Sequence, residues 1–238
     1  MAKAWNEFGV AKMMRDHIDG ESGAYNAFEK SRRYLMDDLG AEDQRILRTW
    51  GLATINLSVV SWERNQLRQA IRILDDLVSK LDESTFGTKD ALVYGRIFHA
   101  YGNAYESKGN HKEAKKYHEE AFNRHKDTLG IDHHRTADVA MRMAKHAQRD
   151  GEFDKSHEYL DKARKVFDSK AYYRPERARC LKFESELLKE ELKIDEGAKL
   201  QEDAEKLFNE VLKERQGYEQ DSPIPASSFD RLVTFWSR

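Results

Sequence analysis

The chain has 238 residues, a formal net charge of −2 and charged side chains at 35% of its positions, with a pI near 6.5. That balance gives no overall drive toward nucleic acid or an anionic membrane surface; no apolar run reaches the length of a membrane span, and the N-terminal MAKAWNEFGVAKMM lacks the apolar core of a secretory leader. One cysteine, Cys180, cannot form an internal disulfide, so a reducing compartment is expected and the protein is read as soluble and cytoplasmic.

Only three prolines interrupt the chain, and its apolar residues recur at helical spacing, so it reads as a succession of helical hairpins. The first pairs residues 4–17, with Phe8, Ala11 and Met14 in a stripe, and 24–38, with Ala24, Phe28, Ser31 and Leu35, ending in Leu39-Gly40. It begins almost inside a helix, without a polar cap, so either a partner covers that end or the chain is a piece of a longer array. The second pairs 44–63 with 67–81 across a turn at Asn65. Its first helix, RILRTWGLATINLSVVSW, is the most apolar stretch and is expected to be central. The connector from Glu83 to Thr88 has turn chemistry.

In the third hairpin, Phe98, Tyr101, Gly102 and Tyr105 share one helical face. Lys108-Gly109-Asn110 then breaks the helix, and Ala114, Tyr117, His118 and Ala121 line the returning one. The fourth pairs 136–148 with 153–167. The fifth, after Pro175, pairs 177–191 with 200–215 across a longer link, KIDEGAK. Beyond Gly217 the pattern stops: Asp221-Ser222-Pro223-Ile224-Pro225 reads as an extended linker. In the last twelve residues Phe229, Leu232, Val233 and Trp236 follow i, i+3, i+4, i+7, and Ser227 with Asp230 has the spacing of an N-terminal cap. So short a helix needs a surface, and the expected one is the last hairpin around Leu207 and Val211, which the segment would cap, the alternatives being docking into a partner or disorder. The domain reading is thus a repeat array over 1–216 and a linker with capping segment over 217–238.

The landmarks recur: Gly109 returns as Gly151 and Ala121 as Ala163, 42 residues on. Gly102, Tyr105, Gly109, Ala114, His118 and Ala121 stand where the tetratricopeptide repeat (TPR) has its signature positions, and the chain resembles that family. The usual repeat is about 34 residues. The longer period, with Leu129, Gly130, His133 and Thr136 in the connector, resembles the kinesin light chain type; His134 stands where that type prefers proline. The resemblance implies an all-α fold, a right-handed α-α superhelix of about five helical hairpins. Similar arrays, fungal ones among them, often form the C-terminal part of multidomain proteins.

Catalytic motifs are missing: there is no GxxxxGK[ST], no GxGxxG, no HExxH and no CxxC. His111, His118 and His125 lie seven apart on one helix, which puts neighbours about 10 Å apart along the axis, too far to share a zinc ion bound at about 2 Å. His118 is read as a core residue and His133 as part of the connector turn. Cys180 falls on an apolar stripe and is read as packing; Trp5, Trp50 and Trp62 are read as core or groove wall. No cofactor, metal or catalytic residue is expected.

In a TPR-like array the first helix of each hairpin lines the concave groove. The repeat frame places Ile55, Asn56, Val59 and Trp62 there from the second hairpin, Arg96, His99, Asn103 and Glu106 from the third, and Met141, Arg142, Lys145 and Arg149 from the fourth. Asparagine can grip a peptide backbone through both its donor and its acceptor, and arginine suits carboxylates. The expected function is therefore a non-enzymatic interaction scaffold holding an acidic peptide at Asn56, Trp62, Arg96, His99, Asn103, Glu106, Arg142, Lys145 and Arg149. The lysine and asparagine arrangement of chaperone-binding carboxylate clamps is not reproduced. The competing reading is a small-molecule or catalytic pocket between hairpins two and four, built from His99, Asn103, Glu106 and Arg142. Partner identity and oligomeric state stay open.

Overall fold

The structure is a computed structural model, and it describes residues 1–15, 18–36, 44–82 and 91–237. All its regular elements in those residues are helical: α1 (Ala2–Met13), α2 (Ala24–Met36), α3 (Gln44–Glu63), α4 (Leu67–Asp82), α5 (Ala91–Ser107), α6 (His111–Leu129), α7 (His134–Arg149), α8 (Phe153–Phe167), α9 (Arg174–Glu190), α10 (Ile194–Gln216) and α11 (Ala226–Leu232), with a 3-10 turn at Ala171–Tyr173. The Leu39-Gly40 and Glu83 to Thr88 connectors fall outside the described residues. The chain forms two compact units, Met1–Thr128 and Leu129–Arg238.

Four hairpin turns are built alike. Asn65, Gly109, Gly151 and Leu192 all have positive φ, at 59°, 78°, 74° and 65°. In each, the positive-φ residue donates its N–H to the carbonyl three back, and the next residue donates to the carbonyl five back. These pairs are Asn65 to Trp62 with Gln66 to Ser61, Gly109 to Glu106 with Asn110 to Tyr105, Gly151 to Gln148 with Glu152 to Ala147, and Leu192 to Lys189 with Lys193 to Leu188. This left-handed closure satisfies the last helical carbonyls and starts the next helix at once.

The α9–α10 turn is therefore as tight as the others, which corrects the expectation of a long link at KIDEGAK. Its glycine is a packing residue. A Cβ on Gly197 would lie 2.8 Å from the Ser185 carbonyl oxygen, so glycine permits the close approach of α10 to α9, while the left-handed position is taken by Leu192.

Seven residues before each turn residue stands a small buried one, Ser58, Gly102, Ala144 or Ser185. At Gly102 the fit is closest, since an added Cβ would lie 2.2 Å from His118 Cδ2. Gly95 faces His125 in the same way, and Gly9 faces Phe28. The histidine spacing that suggests a metal stripe thus has a packing cause: His118 and His125 are buried in glycine notches, while His111 is exposed.

In the first unit the core gathers Leu47, Trp50 and Ile55 of α3, Leu74, Leu77 and Leu81 of α4, and Val93, Tyr94, Ile97 and Tyr101 of α5, so α3 is central as its composition predicts. In the second unit Ala178, Ala204, Phe208, Val211 and Leu212 enclose Ile224, Phe229 and Leu232 from the C-terminal segment. Phe229 is wholly buried.

The linker is held as well: the buried Glu205 carboxylate accepts from Ser222 Oγ and from the Ile224 N–H. Burial opposes ionisation of Glu205, but these hydrogen bonds, with one from Gln201, hold its pKa below the usual range. The tail departs from its predicted helix. α11 ends at Leu232, Ser227 makes no capping hydrogen bond, and Val233 is extended at ψ 163°. That turn outward lets Phe235 and Ser237 become buried and leaves Trp236 half exposed.

Candidate functional site

The predicted groove positions of the first unit lie on α3 and α5. Asn56 is buried: its Nδ2 donates to Asn6 Oδ1 at 3.0 Å, and its Oδ1 accepts from Arg96 Nη2 at 3.1 Å. The side chain expected to grip a peptide backbone instead ties α1, α3 and α5 together. Trp62, half buried, donates Nε1 to Ser107 Oγ at 2.7 Å. His99 is buried with its ring 5.7 Å from that of His118, and His118 Nε2 lies 3.3 Å from Asn103 Oδ1. Glu106 reaches His111 Nδ1 at 3.2 Å. Arg96, Asn103, Glu106 and Trp62 retain partial exposure on this face.

In the second unit α7 starts from the connector read in the sequence. His133 caps it, Nδ1 accepting the Arg135 N–H at 3.2 Å. Thr136 Oγ1 donates to the Gly130 carbonyl at 2.8 Å, where Gly130 has φ 92°. His134 then packs 4.3 Å from the His133 ring, and burial, with the charges of His133 and Arg135, takes its pKa down to about 4. Cys180 is buried with its thiol 3.3 Å from Met141 Sδ. Burial pushes that thiol up to about 12, so at neutral pH it is a packed, unreactive group.

Arg142, Lys145 and Arg149 share one stripe of α7. Arg149 is exposed, with Nη1 3.3 Å from His146 Nδ1, and Arg142 is half buried. Lys145 faces the tail: its Nζ lies 3.8 Å from Asp230 Oδ2 of α11. Burial lowers its pKa, and Asp230 counters that shift. Toward the start of α7, Asp138 is fully enclosed. Its Oδ1 is 3.3 Å from Arg179 Nη2, its Oδ2 accepts from Ser237 Oγ at 2.8 Å, and Arg179 also donates Nη1 to the Ser237 carbonyl. Burial pushes the Asp138 carboxyl up to about 7 against the pull of Arg179 and Ser237.

Asp138, Arg179, Asp230 and Ser237 escape a motif search, because each is an ordinary surface type in sequence. One signal for them exists: Asp138 and Arg179 are 41 residues apart, the same offset as the turn residues Gly151 and Leu192. An acid and a base at one repeat position of consecutive hairpins mark a cross-repeat pair. Among the described residues no group of three or more histidine, cysteine, aspartate or glutamate side chains is placed to hold a metal ion.

Gly102 against His118, the left-handed turns at Gly109 and Gly151, and the Gly130 to Thr136 connector all coincide with the match of residues 94–190 to the tetratricopeptide repeat family model. Over those residues the chain is similar to the tetratricopeptide repeat family. Its fold is shared with BtubC (BKLC) from P. vanneervenii at a TM-score of 0.63 and 13% identity, over 87% of this chain and 78% of that one. The nearly identical TPR-like repeats of a Podosopora anserina protein described as a kinesin light chain match with a TM-score of 0.60 and 15% identity, over 90% of this chain and 96% of that one. The repeats thus have the all-α fold of the kinesin light chain type. No curated protein matches in sequence. Tetratricopeptide repeats generally mediate protein-protein interaction, through the surfaces that stacked hairpins create. No helix among the described residues is long and apolar enough to cross a membrane.

Proposed function

We propose that this chain is a non-catalytic, cytoplasmic interaction scaffold whose first-helix faces hold a peptide segment of acidic character. The observation that carries this reading is the Lys145–Asp230 pair. A carboxylate on a short amphipathic helix, the chain's own α11, is already seated against the basic stripe of α7, which is the chemistry an acidic partner segment would present. Arg142 and Arg149 extend that stripe along the helix, and Arg149 is exposed. In the first unit, Trp62, Arg96, Asn103 and Glu106 would supply polar and aromatic contacts, with Asn56 and the buried His99 behind them holding the wall.

The same reading assigns residues 217–238 as a linker and cap for the last hairpin, since Phe229 and Leu232 cover Phe208 and Val211. A direct test is recovery of partners on immobilised chain, read by mass spectrometry, for the wild type and for Arg142→Glu with Arg149→Glu. Arg149 is exposed and Arg142 half buried, so the chain should still melt cooperatively by circular dichroism while recovery of an acidic partner falls about tenfold or more, a change of roughly 1.4 kcal/mol. Equal recovery from the two proteins would remove the basic stripe from the interaction.

A further inference from the structure

A cleft of about 310 Å³ opens within the second unit, lined among others by Asp138, Tyr172, Tyr173, Glu176, Arg215 and Trp236. It owes one wall to the tail, because Trp236 and Ser237 reach it only once α11 is seated. Its volume suits a small polar group.

Glu176 is the unused group of this cleft. It sits in the first turn of α9 and is 7% exposed. Among the described residues its carboxylate is supported by its own backbone N–H and by no ion pair or side-chain hydrogen bond. The neighbouring cations are engaged elsewhere: Arg179 on Asp138 and the Ser237 carbonyl, and Arg215 Nη1 on the Leu232 carbonyl at 2.7 Å. Burial raises the Glu176 carboxyl despite Arg179 and Arg215, so a donor brought to it would be rewarded.

The walls are aromatic. Tyr172 stands at the mouth, 70% exposed, with its ring 4.4 Å from that of Tyr173; Phe167 meets Tyr173 edge-on at 5.6 Å. Aromatic rings attract cations, and a neutral apolar guest would leave the Glu176 acceptor without a donor.

We propose that this cleft binds an organic cation, an alkylammonium or guanidinium group, with Glu176 as its hydrogen-bond acceptor and Tyr172, Tyr173 and Trp236 as its walls. The group has two sources: a free small amine, or a lysine or arginine side chain of a partner protein. The site lies at the start of α7 and α9, apart from the basic stripe at Arg142, Lys145 and Arg149, and stands independently of the acidic-peptide reading.

The full chain is titrated with n-butylammonium and with methylguanidinium at constant ionic strength, with sodium butyrate as the anionic control. Trp236 fluorescence reports, corrected by the Trp236→Phe variant for the other three tryptophans. The expected result is a saturable change with Kd on the order of millimolar for either cation and none for butyrate. Glu176→Gln keeps the shape and removes the charge, and should weaken binding about tenfold or more. Tyr172→Ala, at an exposed position, should weaken it severalfold with the thermal melt unchanged. An Nα-acetylated lysine amide that binds more tightly than butylammonium assigns the source to a partner side chain, and equal binding assigns it to a free amine. The proposal is overturned by equal responses to butylammonium and butyrate, by a Glu176→Gln titration that overlays the wild type, or by no saturable change up to about 100 mM, a concentration far above the expected Kd.

Discussion

Lys145 on α7 and Asp230 on α11 face each other at 3.8 Å, and Ser237 of the same tail is hydrogen-bonded to Asp138 one face-length along α7. The tail therefore lies on the first-helix face of the second unit as well as on α10. Its apolar side anchors it, since Phe229 is wholly buried against Phe208, at a ring separation of 4.8 Å.

Truncating that ring to alanine should cost about 3–5 kcal/mol, the range for emptying a buried aromatic site. Deleting 226–238 should lower the melting temperature by several degrees or more. Lys145→Met, which keeps the stem and loses the charge, should cost less than about 1 kcal/mol, because the pair is partly solvated. Thermal melts of the three proteins check the order, and a deletion that melts like the wild type would show the tail to be dispensable.

Gly102→Ala should be among the most damaging single-methyl changes in the chain. Its new Cβ would fall 2.2 Å from a carbon of the His118 ring, and overpacking of this kind costs about 1–3 kcal/mol. Pairing it with His118→Ala should recover part of the loss, because the clash partner is gone. A double-mutant cycle with no coupling between the two sites would contradict the notch.

Leu192 holds a left-handed backbone, φ 65°, with its side chain 84% exposed. It has strain and almost no burial to set against it. Leu192→Gly should therefore stabilise the protein by about 1 kcal/mol, whereas Gly151→Ala, at φ 74° with nothing within 4 Å of the added Cβ, should destabilise it by a similar amount. Chemical denaturation midpoints moving in opposite directions are the expected outcome.

Two groups on α7 give opposite pH dependences. The folded-state pKa of Asp138 is raised to about 7, so the native state holds a proton that the unfolded chain releases, and stability falls as pH rises from about 4 to 7. That of His134 is lowered to about 4, so the unfolded chain binds the extra proton, and stability rises with pH from about 4 to 6.5. The two slopes offset each other in the wild type below about pH 6.5. Asp138→Asn should leave a profile that climbs with pH, and His134→Gln one that declines, each by a few kcal/mol across the window, at about 1.4 kcal/mol per pH unit. Parallel profiles for the two variants would be incompatible with these assignments.

The sequence alone carried the hairpins, the repeat offset and the turn positions, because these depend on periodicity and on glycine or asparagine at fixed places. The bounds of α3 and α8 and the left-handed residues at Asn65, Gly109 and Gly151 follow from local chemistry. The connector did too: His133 and Thr136 act within a few residues of themselves. Gly197 read as a link because glycine in sequence does not say whether it serves a turn or a close approach, and only the position of Ser185 and Lys189 decides that. Asn56 was read as a groove residue, but its burial depends on Asn6 and Arg96, both remote in sequence. The same holds for Lys145 with Asp230, Asp138 with Arg179 and Ser237, and the exposed edge of Trp236. In each case a polar group's partner is chosen by how folded elements pack. Helical periodicity says which way a side chain points and leaves open what it meets there.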